Sequence, residues 1–291
     1  MNMEILSGKI LSQQQLLALK EEISLLTIKP KLAIIQIGDE EPSNVYVSMK
    51  RKAGDMVGIE ISLYKYNPDT LYSVQDKILE LNVDNTIHGI IVQLPTPGSE
   101  THEILNLIAP EKDVDGLTST NLGRIWNGNG IQYLGATPKA VIYALKHIAK
   151  RNNQTYEEFI KGKNVLIINH NILIGKPLAG VLLNSDATVT IAHSNTKALQ
   201  EHLNSADIII TATGQRIIDK SNSQYLKNGV VIIDSGYARK DGLSYGDVDP
   251  NSVKEKASWI TPVPGGIGPL GVAMLMRNTY DACINSLNTP D

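Results

Sequence analysis

The stretch NVLIINHNILIGKP, Asn164 to Pro177, joins a short β-branched apolar run to a turn and then to a helix start. Val165–Ile168 read as a buried parallel strand, because a strand covered on both faces shows a continuous apolar run. Gly175 and Pro177 stand just ahead of LAGVLL, which reads as a helix. Strand, glycine-bearing turn and helix N-terminus, in that order, open a dinucleotide site: backbone amides and the helix dipole meet a pyrophosphate there. Here, however, the turn begins Asn169-His170-Asn171. The stretch predicts an α/β fold and asks whether such a turn holds a nucleotide, and if so which one.

Outward from it, the same alternation covers the chain. Strands are expected at 31–38, 61–66 and 88–95, with helices at 43–58 and 71–82 between them. Further strands are expected at 187–194, 206–214 and 229–236 beside 164–169, again separated by short helical segments. This predicts two parallel α/β units with both sheet faces covered. The boundary falls near Gly135-Ala136-Thr137-Pro138, where Thr137 can cap a helix whose first residue is Pro138. The expected domains are 1–137, completed by a C-terminal helix in 271–291, and 138–270. A cleft between them is the expected ligand site.

Composition sets bounds. The 291 residues carry 42% hydrophobic and 20% charged side chains and a net charge of −3, which gives no long-range attraction for nucleic acid or an anionic membrane. The N-terminus lacks the basic flank and apolar core of a signal peptide, and no apolar run approaches the ~20 residues of a spanning helix. A cytoplasmic location is expected. Cys283 is the only cysteine, so an internal disulfide is impossible and no metal site is expected. Within its helical pattern it reads as a small core residue.

Several segments carry residues capable of chemistry. Tyr46 and Lys50 are four apart in an expected helix and share a face. A partly buried amine beside a phenol can move protons, since desolvation lowers a lysine pKa; a surface lysine packing its stem on a tyrosine has the same spacing. Gln93, in VQLPTP (92–97), ends an expected strand, where ligands meet an open α/β sheet; a strand-end amide can equally satisfy a loop. Asp113 and Asp115, in PEKDVDGL (110–117), offer carboxylates to an amino-heterocycle, though aspartates before glycine also suit ordinary turns. TPVPGGIGPL (261–270), with Pro264 and Gly265 at its centre, is a rigid, side-chain-poor loop suited to line a flat ligand. His88, His102, His147 and His202 read as structural or surface residues. His193 ends a strand and can serve either a nucleotide site or the next loop.

Together these segments resemble the bifunctional methylenetetrahydrofolate dehydrogenase/methenyltetrahydrofolate cyclohydrolase family. The match includes EPSNVYVSMKRKAGDMVGI (41–59), VQLPTP, KDVDG (112–116), IGKPLAGVLLNSDATVTIAHSNT (174–196), ADIIITATG (206–214), GDVD (246–249) and TPVPGGIGPL. The resemblance implies a folate domain, a Rossmann-like domain with a parallel sheet, and a homodimer paired through the latter. It implies a tetrahydrofolate derivative as substrate and NADP, with NAD possible, as cofactor. By residue it assigns Lys50 as the catalytic lysine, Tyr46 as its partner, Gln93 as the glutamine bonding that lysine, and Asp115 as the pterin anchor. Pro264 and Gly265 join the substrate contacts. Asn169, His170, Asn171, Gly175, Ser194, Thr213, Gly214 and Gly236 fall at the nucleotide positions.

The departures gather on the nucleotide side. Asn169-His170-Asn171 stands where the family usually reads Gly-Arg-Ser, so His170 replaces an arginine that in NADP-using members helps hold the ribose phosphate. Asn169 can adopt the positive φ open to a glycine, though less readily. Gly135-Ala136 replaces Pro-Cys, Ala140 a glycine and Gly271 a threonine. The alternatives are a cyclohydrolase with weak, lost or NAD-preferring dehydrogenase activity, and a non-catalytic folate-binding paralogue.

Overall fold

The computed structural model describes residues 3–96, 101–130, 132–240 and 242–288. Pro97 of VQLPTP, and residues 1–2 and 289–291 at the outer ends of the expected first domain, lie outside the described residues.

The first strand is β1 (Glu4–Ile5). Next come β2 (Lys31–Ile37), β3 (Glu60–Tyr66) and β4 (Gly89–Gln93), a parallel sheet in the order β3-β2-β4. Then follow β5 (Asn164–Ile168), β6 (Thr188–Ala192), β7 (Ile208–Thr211) and β8 (Val230–Asp234). A hairpin of β9 (Ala238–Lys240) and β10 (Leu243–Tyr245) precedes β11 (Ala257–Ile260). The second sheet is six-stranded, ordered β1-β11-β8-β7-β5-β6, and parallel throughout.

The chain forms two compact units. One holds Ser12–Ile125, Asn129–Ala136 and the segment from Val272 onward; the other holds the segment through Leu11, Trp126–Gly128 and Thr137–Gly271. The expected first domain began at residue 1. Instead the segment through Leu11 groups with the six-stranded sheet, because β1 pairs with β11 through Glu4↔Trp259 and Ile5↔Ile260. Two-residue β1 and four-residue β11 are too short for a periodicity argument, and neither was expected.

Two helix starts also differ. The helix Ala136–Arg151 begins before Thr137, which therefore lies in its first turn and is not the cap. The last helix, Ile267–Asn288, takes in Gly268 and Pro269 ahead of the expected start at Gly271. Proline in a first turn breaks no intrahelical bond, since the first amides have no partner there.

Each sheet is buried by its own apolar set. In the unit containing β2, Leu32, Ile34 and Ile91 pack with Val47, Val57 and Met276. Leu166, Ile168, Ile209, Ile232 and Ile260 form the core beside the six-stranded sheet. Each such side chain contributes roughly 1.5–3 kcal/mol when removed from water. Cys283 is fully buried, and burial pushes its thiol up to about 11, as befits a small core residue.

Candidate active site

Helix Glu41–Val57 carries Lys50. Its buried residues Ser43, Val47, Gly54 and Val57 recur at helical spacing, and Lys50, three after Val47 and four before Gly54, falls on the same stripe. A cation in an apolar stripe must find a partner. Lys50 Nζ donates to Gln93 Oε1 at 2.8 Å. Gln93, at the C-terminal end of β4 and 7% exposed, donates its own Nε2 to the Leu94 carbonyl at 2.8 Å. These two bonds fix which way the amide points.

Asp115 is the nearby opposite charge. Burial pulls the Lys50 ammonium below the usual lysine range, and the Asp115 carboxylate partly restores it. Burial raises Asp115 in turn, against the pull of Lys50 and a 3.3 Å bond from the Ala136 N–H. Desolvation is the larger influence on both, so the amine is lowered and the carboxyl raised.

The two aspartates of the 110–117 loop have different work. Asp113 is buried and accepts from the Leu117 N–H, the Thr118 N–H and Asn121 Nδ2 at 3.1, 2.8 and 2.9 Å. It shapes the loop. Asn278 holds the same segment from the last helix, donating to the carbonyls of Val114 and Leu134 at 2.7 and 2.9 Å. Asp115 is thereby aimed by its neighbours. Tyr46, one turn before Lys50, is 38% exposed, so its ring is open to a ligand.

On the six-stranded sheet, β5 has β6 on one side and β7 on the other. Such a reversal of strand order is where open α/β sheets bind ligands, at the carboxyl ends. Asn169 follows β5 there. Its Nδ2 donates to the Ala212 carbonyl at 2.6 Å, beyond β7, and its Oδ1 accepts from the N–H groups of Asn171 and Gly175 at 2.9 and 3.1 Å. Asn171 Oδ1 in turn accepts from Leu173 and Ile174 at 3.1 and 2.9 Å. Asn169 does not use the positive φ that an asparagine can adopt. Among the described non-glycine residues only Asn153, Asp186 and Ala198 have it, so the asparagine shapes the turn through its side chain instead.

Gly175 starts the helix Gly175–Leu183, and a Cβ there would collide with the Asn169 carbonyl. His170 is exposed, with its ring centroid 4.9 Å from that of His193. That contact sets the turn after β5 beside the loop after β6, where Ser194 is exposed. Thr213 and Gly214 follow β7, and Gly236 follows β8. The arrangement suits a dinucleotide: a switch point, a helix N-terminus closed by glycine, and exposed polar side chains on the neighbouring strand's loop. Pro264 and Gly265 belong to this second unit, on the loop before the last helix. His88 is structural, its Nδ1 accepting from the Lys31 N–H at 3.0 Å.

Comparison with known proteins gives the family. The tetrahydrofolate dehydrogenase/cyclohydrolase catalytic domain matches residues 6–115, and the NAD(P)-binding domain of the same family matches residues 135–287. The chain belongs to the tetrahydrofolate dehydrogenase/cyclohydrolase family. The bifunctional protein FolD of Lactobacillus acidophilus is 42% identical over 279 residues, 94% of this chain and 95% of its own. The bifunctional FolD enzyme of Campylobacter jejuni superposes with a TM-score of 0.90 at 38% identity, covering 97% of this chain and 99% of that one. The Trypanosoma brucei FolD, solved with NADP and an inhibitor, gives 0.89 at 29% identity over 99% and 100%.

Against the family pattern, the residues that sequence reasoning missed are supports. Asp234, Asp247 and Asn278 are buried polar groups that bond backbone far away in sequence, and no local pattern marks such partners. Lys50 was marked in the sequence by its spacing from Tyr46, which a surface lysine shares, so that only the family motif singled it out. No group of three or more possible metal ligands occurs among the described residues. No described helix is long and apolar enough to cross a membrane.

Proposed function

We propose that this protein is a bifunctional enzyme of one-carbon metabolism. It oxidises methylenetetrahydrofolate to the methenyl form with NADP and hydrolyses that product to formyltetrahydrofolate. The observation that carries the reading is the Lys50–Gln93 bond of 2.8 Å beside Asp115, with the ammonium held below its usual range by burial.

Asp115 is the pterin anchor, since a carboxylate accepts paired hydrogen bonds from an amino-heterocycle. Tyr46, Pro264 and Gly265 supply further substrate contacts. NADP, when bound, supplies the hydride acceptor. Asn169, His170, Asn171, Gly175 and Ser194 would hold its phosphates and ribose, and Thr213, Gly214 and Gly236 the remainder. In the hydrolytic step water attacks the methenyl cation and loses one proton, leaving a hydroxyl on that carbon. The hydroxyl then loses its proton as the C=O of the formyl group forms, the bond from carbon to one nitrogen breaks, and that nitrogen takes up a proton, so one proton is released overall. Lys50 is placed to take the first proton, with Gln93 fixing the amine and Tyr46 steering the water. The methenyl cation is already electrophilic, so position and electrostatics carry the step.

NAD as co-substrate is a second reading, favoured by the exposed histidine where NADP-using relatives are expected to carry arginine. A cytoplasmic homodimer is also proposed; the exposed Tyr237 and Leu243 flanking and within the β9–β10 hairpin offer apolar surface for it, and light scattering at micromolar concentration decides.

The test is Lys50→Met. Decay of methenyltetrahydrofolate absorbance should fall to the uncatalysed rate in a variant that keeps its thermal transition. Near-normal ring opening would remove Lys50 from this role. Wild-type assays of methylenetetrahydrofolate oxidation with NADP and with NAD separate the dehydrogenase readings, and no ring opening by wild type would leave a folate binder.

A further inference from the structure

Two carboxylates lie under the loops assigned to the nucleotide. Asp234 ends β8 at 2% exposure and Asp247 follows β10 at 0%. Their partners are backbone amides and one hydroxyl, not cations. Asp234 Oδ1 accepts from the N–H groups of Gly236 and Asp247 at 2.9 and 3.1 Å and from the Thr211 hydroxyl at 3.3 Å. Its Oδ2 accepts from the Val248 N–H at 2.9 Å. Asp247 Oδ2 accepts from the Thr213 N–H at 2.6 Å, and its Oδ1 from the Gln215 N–H at 3.1 Å. A Cβ on Gly236 would collide with the Asp247 carboxylate.

Burying two like charges together is unfavourable, and each must be matched by aligned donors. The donors here come from the end of β7 and the turn after it, the turn after β8 and the GDVD segment after β10. A fold that needed only to close these loops could do so with neutral groups. Carboxylates make stronger, more directional acceptors, and so hold amides in one orientation.

We propose that Asp247, backed by Asp234, is a positioning residue for the nicotinamide nucleotide. Its carboxylate fixes the Thr213 and Gln215 amides so that the Thr213–Gly214 turn and Gly236 present a preformed backbone surface. This rests on the reading of Thr213, Gly214 and Gly236 as nucleotide contacts. Because Asp247 acts through backbone, it supports NADP and NAD equally, whereas His170 bears only on the ribose phosphate.

The experiment measures dissociation constants for NADP and NAD by calorimetry in wild type and Asp247→Asn. The asparagine keeps the volume but offers one acceptor oxygen where two amides need accepting. Loss of one charge-assisted bond should raise both constants about tenfold. The dehydrogenase KM for nucleotide should rise with them while kcat stays close to wild type, a split that loss of fold would not produce. Methenyl ring opening, which needs no nucleotide, serves as the folding control. Unchanged constants in a folded variant overturn the positioning role alone. A wild type that binds neither nucleotide overturns the nucleotide reading and this role together. Should the variant fail to fold, hydrogen exchange in wild type decides. Thr213 and Gln215 amides protected without nucleotide support preorganisation by Asp247; protection only after NADP is added overturns it.

Discussion

A lysine in the buried stripe of a helix costs free energy unless its head group finds donors' complements and a counter-charge. Lys50 finds Gln93 and Asp115, and the balance still leaves its pKa lowered by burial. That lowering is in the direction the proposed proton-transfer role requires. His170 presents the opposite case, an exposed side chain proposed to bear on which cofactor is chosen. Arginine at this position would offer a fixed charge and a planar fork for a phosphate. His170→Arg should therefore raise NADP affinity at neutral pH by about 1–2 kcal/mol, near tenfold, and leave NAD affinity unchanged. Titration of both nucleotides against both proteins reads this directly. An equal gain for NADP and NAD, or none, would mean that position 170 does not face the ribose phosphate.

At the scale of the element, the turn between β5 and the helix Gly175–Leu183 is held by side chains where glycines are usual. Asn169 bonds Ala212, Asn171 and Gly175, and Asn171 bonds the two amides before the helix. Asparagine side chains that accept from nearby amides stabilise such turns without positive φ. The arrangement works only if the helix start approaches the Asn169 carbonyl closely, which a Cβ at Gly175 would prevent. Gly175→Ala should destabilise the protein by about 1–3 kcal/mol, as overpacking typically does, and weaken nucleotide binding with it. A urea midpoint equal to wild type would show that the turn relaxes around the methyl group.

For the whole molecule, buried charge makes stability depend on pH. Asp234 is raised from 3.8 to about 6, first by burial and also by Asp247, despite bonds from the amides of Val248, Asp247 and Gly236. The folded state thus binds this proton more tightly than the unfolded state. The resulting stabilisation is fully present below the unfolded value of 3.8, falls as pH rises, and is gone above about 6. Its size is on the order of 3 kcal/mol at most. Exposed carboxylates such as Asp39, lowered by Asn44 and Lys65, act in the opposite sense, so the isosteric Asp234→Asn variant is needed to isolate the term. The difference in thermal midpoint, variant minus wild type, should grow as pH rises from about 4.5 to about 7. A constant difference across that range would mean that Asp234 does not titrate there.

Alternating apolar runs and helical stripes were enough to determine two parallel α/β units. Strands such as β2 and β5 state their burial in a continuous apolar run after the first residue, broken in β2 only by Gln36, because a parallel sheet is covered on both faces. The family's motifs, with Lys50, Gln93 and Asp115 among them, were equally legible. Tertiary structure decided the rest. Glu4–Ile5 became a sheet edge only because β11 was there to pair with it. Asp113 and Asp115, two residues apart and chemically alike, were separated into a loop brace and a partner for Lys50 by what surrounds each. Asp234 and Asp247 are thirteen positions apart in sequence yet serve one cluster of amides. Local sequence encodes the period of an element, since that depends on near neighbours. It does not encode which distant amide a buried carboxylate will meet, since that exists only once the chain has closed.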